Sequence, residues 1–278
     1  MLEVQRWPEL RDTLLVVALS GWVDAGTAGA ASAAFTIEQL DGARSFARMP
    51  LADHVDLQQT RPTIHLDDGV TRSIRWPELE MVAGRADRDV VVLRGPEPSL
   101  RWPAILSELV EAGARLDVRE VVTLGGMPAA VSHRQVTAVL ATASTRELAD
   151  EIGALRADYE GPTGAQTALA VAFADQGVPA VGLWAQVPHY LAGATAPTAV
   201  RALADRLGRL GDIRLDAGAL DDQCDAWLGK VEESLAERPE VAELVEQIEA
   251  AHAELPPGDL PTGEELVGEI ERFLREEP

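Results

Sequence analysis

Three acids, one imidazole and one phenol stand within three residues of a glycine or proline in short turns of this chain. Asp24 follows Gly21-Trp22-Val23. Glu97 follows Gly95-Pro96. Glu160 opens Glu160-Gly161-Pro162-Thr163-Gly164, and His189-Tyr190 follow Val187-Pro188. Gly125-Gly126 forms a further glycine step. Glycines let the backbone approach a ligand closely, and a helix starting beside them offers free N–H groups to an anion. An acid or histidine in such a place can move a proton. Each residue also has a structural reading. Asp24 suits an N-cap on the alanine-rich stretch that follows, and Thr163 suits a cap better than a nucleophile. Glu97 reads as solvated, His189 as a hydrogen-bonded structural histidine, and Gly125-Gly126 as turn geometry rather than an oxyanion hole. An acid at position 24 also repels a bound phosphate. No nucleophile–base pair stands out, so no catalytic residue is assigned.

These residues need elements to hold them. Short apolar runs at 14–19, 90–93, 121–124 and 180–185 predict buried strands. Helical patterns at 25–40, 104–112, 164–176 and 198–210 lie between them. Such alternation predicts an α/β fold with a mixed, mostly parallel sheet between helical layers. The candidate residues then share a rim at the carboxyl ends of the strands, where ligands bind in α/β sheets. Residues 61–76 carry two alternating runs around Asp67-Asp68-Gly69, which predicts a β-hairpin and a mixed sheet. Arg-Trp-Pro occurs at Arg6, Arg75 and Arg101, and Trp-Pro is expected to start helices there.

Beyond 215 the character changes. Leu220, Cys224, Trp227, Leu228, Val231 and Leu235 follow helical spacing, as do Val241, Leu244, Val245 and Ile248, and then Leu266, Ile270, Phe273 and Leu274. Thr262-Gly263-Glu264-Glu265 has the form of a capping box before the last of these. The expected organisation is an α/β domain over 1–215 and an acidic helical extension over 216–278, packed on it.

Charge and composition exclude several functions. The 278 residues carry a net charge of −22, and Lys230 is the only lysine. Residues 231–278 alone hold 15 acids against 3 arginines. Such a chain lacks the basic face that nucleic acid or an anionic membrane requires. A basic protein partner or a neutral small molecule stays open. One cysteine, Cys224, allows no intrachain disulfide, and the five histidines show no metal-ligand spacing. The Walker A, GxGxxG, GxSxG and HExxH patterns are missing. No metal and no cofactor are expected. The N-terminus does not read as a signal peptide and no run is apolar enough to span a membrane, so a cytoplasmic location is expected. Of the six tryptophans in a chain only 4% aromatic, most suit core packing and some suit interface anchors, and a homo-oligomer, a trimer for instance, is expected.

Taken in order, "LSGWVDAGTAG" (19–29), "RPTIHLDDGVTRSIRWPELE" (61–80), "GPEPSLRW" (95–102), "VVTLGGMPAAVSHRQ" (121–135) and "YEGPTGAQTAL" (159–169) resemble the proteasome assembly chaperone 2 family. "PTGEELVGEIERFLRE" (261–276) resembles the ending of its actinobacterial branch. The resemblance implies a phosphorylase/hydrolase-like three-layer α/β/α fold. It also implies a non-enzymatic interaction or assembly role of the kind linked to proteasome subunits in eukaryotic and archaeal relatives. It carries over no catalytic residues. The other reading is a small-molecule binder or hydrolase/phosphorylase-like enzyme using the glycine-rich rim.

Overall fold

The computed structural model describes residues 1–155 and 159–253. Ten strands run β1 Glu3–Val4, β2 Thr13–Ser20, β3 Asp41–Pro50, β4 Thr63–Asp67, β5 Val70–Arg75, β6 Glu78–Arg85, β7 Asp89–Pro96, β8 Val118–Ala129, β9 Val139–Ala143 and β10 Ala180–Pro188. The helices are α1 Ala28–Gln39, α2 Trp102–Arg115, α3 Arg146–Ile152, α4 Ala165–Ala174, α5 Pro197–Leu210, α6 Asp221–Ala236 and α7 Pro239–Ala253. Eight strands form one sheet in the order β1-β3-β6-β7-β2-β8-β10-β9.

The central strand explains the layering. In β2, Leu14, Val16 and Ala18 point into one core, shared with Ala33 of α1 and Leu203 and Leu207 of α5. Leu15, Val17 and Leu19 point into the other, shared with Leu109 of α2 and Leu169 and Phe173 of α4. Because side chains alternate along a strand, an unbroken apolar run buries both faces and puts a helical layer on each.

The sheet is mixed, and its balance differs from the expected mostly parallel one. β7, β2, β8 and β10 are neighbours and parallel. The other four of the seven pairings are antiparallel. The parallel strands are those with continuous apolar runs. The antiparallel β3 and β6 carry arginines and glutamates on one face, so neither reads as a buried run. The hairpin at 61–76 is present, with Asp68 and Gly69 both at positive φ, 48° and 75°, as a tight two-residue turn requires. It forms a sheet of its own instead of joining the large one. Its strands are exposed at every position.

Of the three Trp-Pro pairs, only Trp102-Pro103 opens a helix, α2. Trp7-Pro8 lies in a loop and Trp76-Pro77 leads into β6, because a proline tolerated in a first helical turn is equally suited to starting a strand. Leu220 and Cys224 pack on Phe35, Val200 and Ala204 of α1 and α5. Val231, Leu235 and Val245 pack with Tyr190 and Leu191, near the end of β10. The capping box at Thr262 and the pattern from Leu266 to Leu274 lie outside the described residues. Among the described residues, no helix is long and apolar enough to cross a membrane.

Candidate functional site

The parallel strands end together at Ser20, Pro96, Ala129 and Pro188, which places most of the candidate residues on one rim. Two helices begin there, α1 and α4, and each presents unpaired N–H groups to a negative charge. Both positions are occupied by the chain's own carboxylates. Asp24 Oδ1 accepts the N–H groups of Gly29 at 2.7 Å and Ala30 at 3.2 Å. Glu97 Oε1 accepts the N–H of Ala165, the first residue of α4, at 2.5 Å, and Oε2 accepts that of Trp22 at 3.3 Å. Glu97 is therefore not a solvated acid but the group that caps α4. Thr163, expected to do so, is exposed one residue outside the boundary, which falls at Gly164. Burial pushes the Asp24 carboxyl up to about 6, against the lowering effect of its two backbone bonds.

The glycines are packed by the chain as well. Gly125 and Gly126, expected in a turn, lie inside β8, paired with Trp184 and Ala185 of β10. The segment that leads from β2 into α1 crosses them. Gly126 donates its N–H to Val23 at 3.0 Å, and Asp24 bridges to Gly126 as a strand would. A Cβ on Gly126 would fall 2.3 Å from the Ala25 carbonyl oxygen, and one on Gly125 2.7 Å from the Trp184 ring. Gly95 lies within β7 for a similar reason, since a Cβ there would meet the Glu78 carbonyl oxygen at 2.4 Å. Gly21 and Gly164 both face Glu97, whose atoms a Cβ would meet at 3.1 and 2.9 Å respectively. Glu160 is exposed in the loop before α4. What looks like a ligand cradle in sequence is thus a close crossing of the chain over its own strands.

The other end of the rim holds a polar cluster of which the sequence singled out only Tyr190 and the neighbouring His189. Its centre is His133, in the loop after β8, whose side chain is fully buried. The Tyr190 hydroxyl accepts the His133 backbone N–H at 3.0 Å and lies 2.8 Å from Nδ1. With that hydroxyl donating to Nδ1, the proton at Nε2 is directed to Glu232 of α6, 3.2 Å away. Arg134 grips the same Glu232 through Nε and Nη2, at 2.7 and 2.9 Å, and reaches Glu249 of α7. Ser132 also donates to Glu249, at 2.6 Å. The arginine holds the Glu232 carboxyl at about 2, and burial pushes the Tyr190 phenol up. His189 lies beside this cluster, edge-on to Tyr190, with Nδ1 3.2 Å from the Ala129 carbonyl oxygen.

Ser132, His133 and Arg134 therefore clasp α6 and α7 to the end of the sheet. Their partners lie about a hundred residues away on two separate helices, a pairing that a single sequence does not encode in any spacing. Chemically the cluster is saturated: each imidazole nitrogen of His133 has a partner, neither of them a serine or threonine hydroxyl. Among the described residues, no group of three or more His, Cys, Asp or Glu could hold a metal ion.

The PAC2 family model matches residues 18–235. A proteasome-assembly chaperone homologue of Mycobacterium tuberculosis is 34% identical, covers 84% of this chain and 99% of its own, and superposes with a TM-score of 0.76. A PAC2 family protein of Streptomyces avermitilis is 38% identical over 84% of this chain and 100% of its own, also at 0.76. PbaB of Pyrococcus furiosus, an archaeal proteasome activator, shares the fold at a TM-score of 0.69 and 16% identity, over 84% of this chain and 98% of its own. No curated protein matches.

Proposed function

The chain belongs to the PAC2 family, and from that membership we propose that it is a non-enzymatic assembly factor that grips other proteins, with proteasome subunits of its own host as the partner. The observation that carries this reading is the β4–β5 hairpin. Ile64, Leu66, Val70 and Ile74 are each more than half exposed on it, with Trp76 at its root. Ile64 and Ile74 pair directly across the two strands. A lone two-stranded hairpin is marginal in water, so an arm of this kind is built to be covered by protein.

The rim supports the same reading by default. Its two helix-start seats are filled by Asp24 and Glu97, which weighs against a phosphate held at the start of α1 or α4. Residues 61–76 carry three arginines and two aspartates on a chain whose net charge is −22. This locally positive arm suits an acidic surface, including that of a second copy. We read residues 1–215 as the α/β unit, 216–278 as its acidic helical extension, and a closed homo-oligomer such as a trimer as the working state, in the cytoplasm.

Mixing the purified protein with the host's proteasome subunits and following assembly by native mass spectrometry tests this. The expected result is a complex with unassembled subunits that is lost as the mature particle forms. Absence of any complex at tens of micromolar, with an unchanged assembly rate, overturns it. Light scattering tests self-association separately: Ile64→Asp with Ile74→Asp is expected to lower the mass to that of one chain while the melting temperature of the body holds.

A further inference from the structure

The α1 side of the sheet has a charged region at the root of the hairpin, and it shares Ile74, Arg75 and Trp76 with the arm described above. Beyond α1, strands β3, β6 and β7 present Arg48, Glu78, Glu80 and Arg94 on this face. Arg94 donates twice to Glu80 Oε2, at 3.0 and 2.7 Å. Arg48 bridges Glu78 and Glu80, at 3.4 Å to each. Glu80 is the most buried member, and its carboxyl is held below the ordinary range: burial acts to raise it, and the bonds and charges of Arg94 and Arg48 overcome that. The two carboxylates fix two guanidinium groups in place, each still about half exposed.

A third arginine joins them. Arg75, at the root of the hairpin, lines the same cleft of about 480 Å³, which Ser20 and Gly95 also line. Among the described residues Arg75 makes no ion pair, so three guanidinium groups face two carboxylates. A second cleft of about 630 Å³ shares Arg48, Arg75 and Glu78 with the first, and its other walls include Ile74, Trp76 and Pro77. Together they make one groove, charge-balanced at the sheet, with the Arg75 guanidinium beside an apolar wall at the hairpin root. Each part has the volume of a small-ligand site.

We infer that this groove binds an organic carboxylate carried on an apolar body: Arg75 takes the carboxylate, and Trp76 and Ile74 cover the body. A guanidinium is the group best matched to a carboxylate, through its planar fork of donors. One free guanidinium calls for a monoanion. An acidic chain repels anions at long range, so recognition here depends on short contacts. The same chemistry occurs in a free aryl- or acyl-carboxylic acid and in the last residue of a polypeptide.

Calorimetry with 3-phenylpropionate, N-acetyl-Leu-Phe and the C-terminal amide of that dipeptide tests the site. At least one acid is expected to bind, and the amide at least about tenfold more weakly, the scale of a charged hydrogen bond. Arg75→Gln is expected to weaken the acid at least about tenfold, and Trp76→Ser to weaken it as well. Both positions are exposed, so the melting temperature should not move. Tighter binding of the dipeptide identifies a polypeptide end as the ligand, and tighter binding of phenylpropionate a free acid. No heat from either acid at millimolar concentration, equal binding of acid and amide, or unchanged binding by Arg75→Gln overturns the assignment.

Discussion

Arg134 and Glu232, 98 residues apart in the chain, meet through two hydrogen bonds of 2.7 and 2.9 Å. The arginine sits in the loop after β8 and the glutamate on α6, so the pair ties the end of the sheet to the C-terminal helices. Loss of the pair by Arg134→Gln is expected to loosen α6 and α7 first. Hydrogen exchange should show faster exchange in 221–253 than in β2 or β8. The pair is half exposed, so the cost in global stability is no more than about 1 kcal/mol.

The same pair gives a pH dependence with a definite sign. Glu232 has a folded-state value of about 2 against an ordinary value of 4.5. A carboxylate depressed in this way contributes stability above its unfolded value and loses it as the pH falls toward the folded one. Melting temperatures measured from pH 5 down to pH 2 should fall more steeply for the native chain than for Glu232→Gln.

Tyr190 is the residue on which buried His133 depends. Tyr190→Phe leaves the His133 backbone N–H and Nδ1 without their partner, at a cost of about 1–3 kcal/mol. Urea unfolding checks this. A loss under about 0.5 kcal/mol would mean that water replaces the hydroxyl at no cost.

Asp24 behaves in the opposite sense to Glu232. Its folded-state value of about 6 lies above the ordinary 3.8, so the folded chain holds the extra proton and stability falls as the pH rises between those values. Asp24→Asn keeps an oxygen for Gly29 and Ala30 without the buried charge, and is expected to match or exceed the native stability at pH 7. Asp24→Ala removes the acceptor and should cost about 1 kcal/mol. Melting curves of the three proteins at pH 4.5 and pH 7 separate the charge from the bond.

The crossing over β8 has little room to relax. Gly126→Ala brings a methyl group to 2.3 Å from the Ala25 carbonyl oxygen, where backbone rather than a side chain must give way. A loss of about 2–3 kcal/mol or more is expected by denaturant unfolding. Gly42→Ala, with open space around it, controls for the general effect of removing a glycine, although its positive φ of 62° will cost something of its own.

The sequence made some of this legible and hid the rest for identifiable reasons. β2, β7, β8 and β10 are visible because each is buried on both faces, so burial writes an unbroken apolar run. β3 and β6 are not, because one face carries Arg48, Glu78 and Glu80 and breaks the pattern. Asp24 was readable as a cap, since the helix it serves follows directly. Glu97 was not: the helix start it caps is 68 residues further on. His133 and Glu232 were missed for the same reason. Local bonding leaves a spacing in the sequence, and long-range bonding leaves only two unremarkable polar residues.

The corner between β2 and α1 depends on chain made much later. Gly26 donates to the Ala192 carbonyl oxygen at 2.7 Å and accepts the Ala196 N–H at 3.0 Å, while Val23 and Asp24 rest on Gly126. A chain leaving the ribosome presents β2 and α1 while those supports are still unsynthesised. With contacts separated so widely in sequence, folding must wait for them. The corner thus acts as a completion seal: β2, β7 and β8 seat one face of α1, and a truncated product ending before 197 would leave uncovered the face that packs on α5.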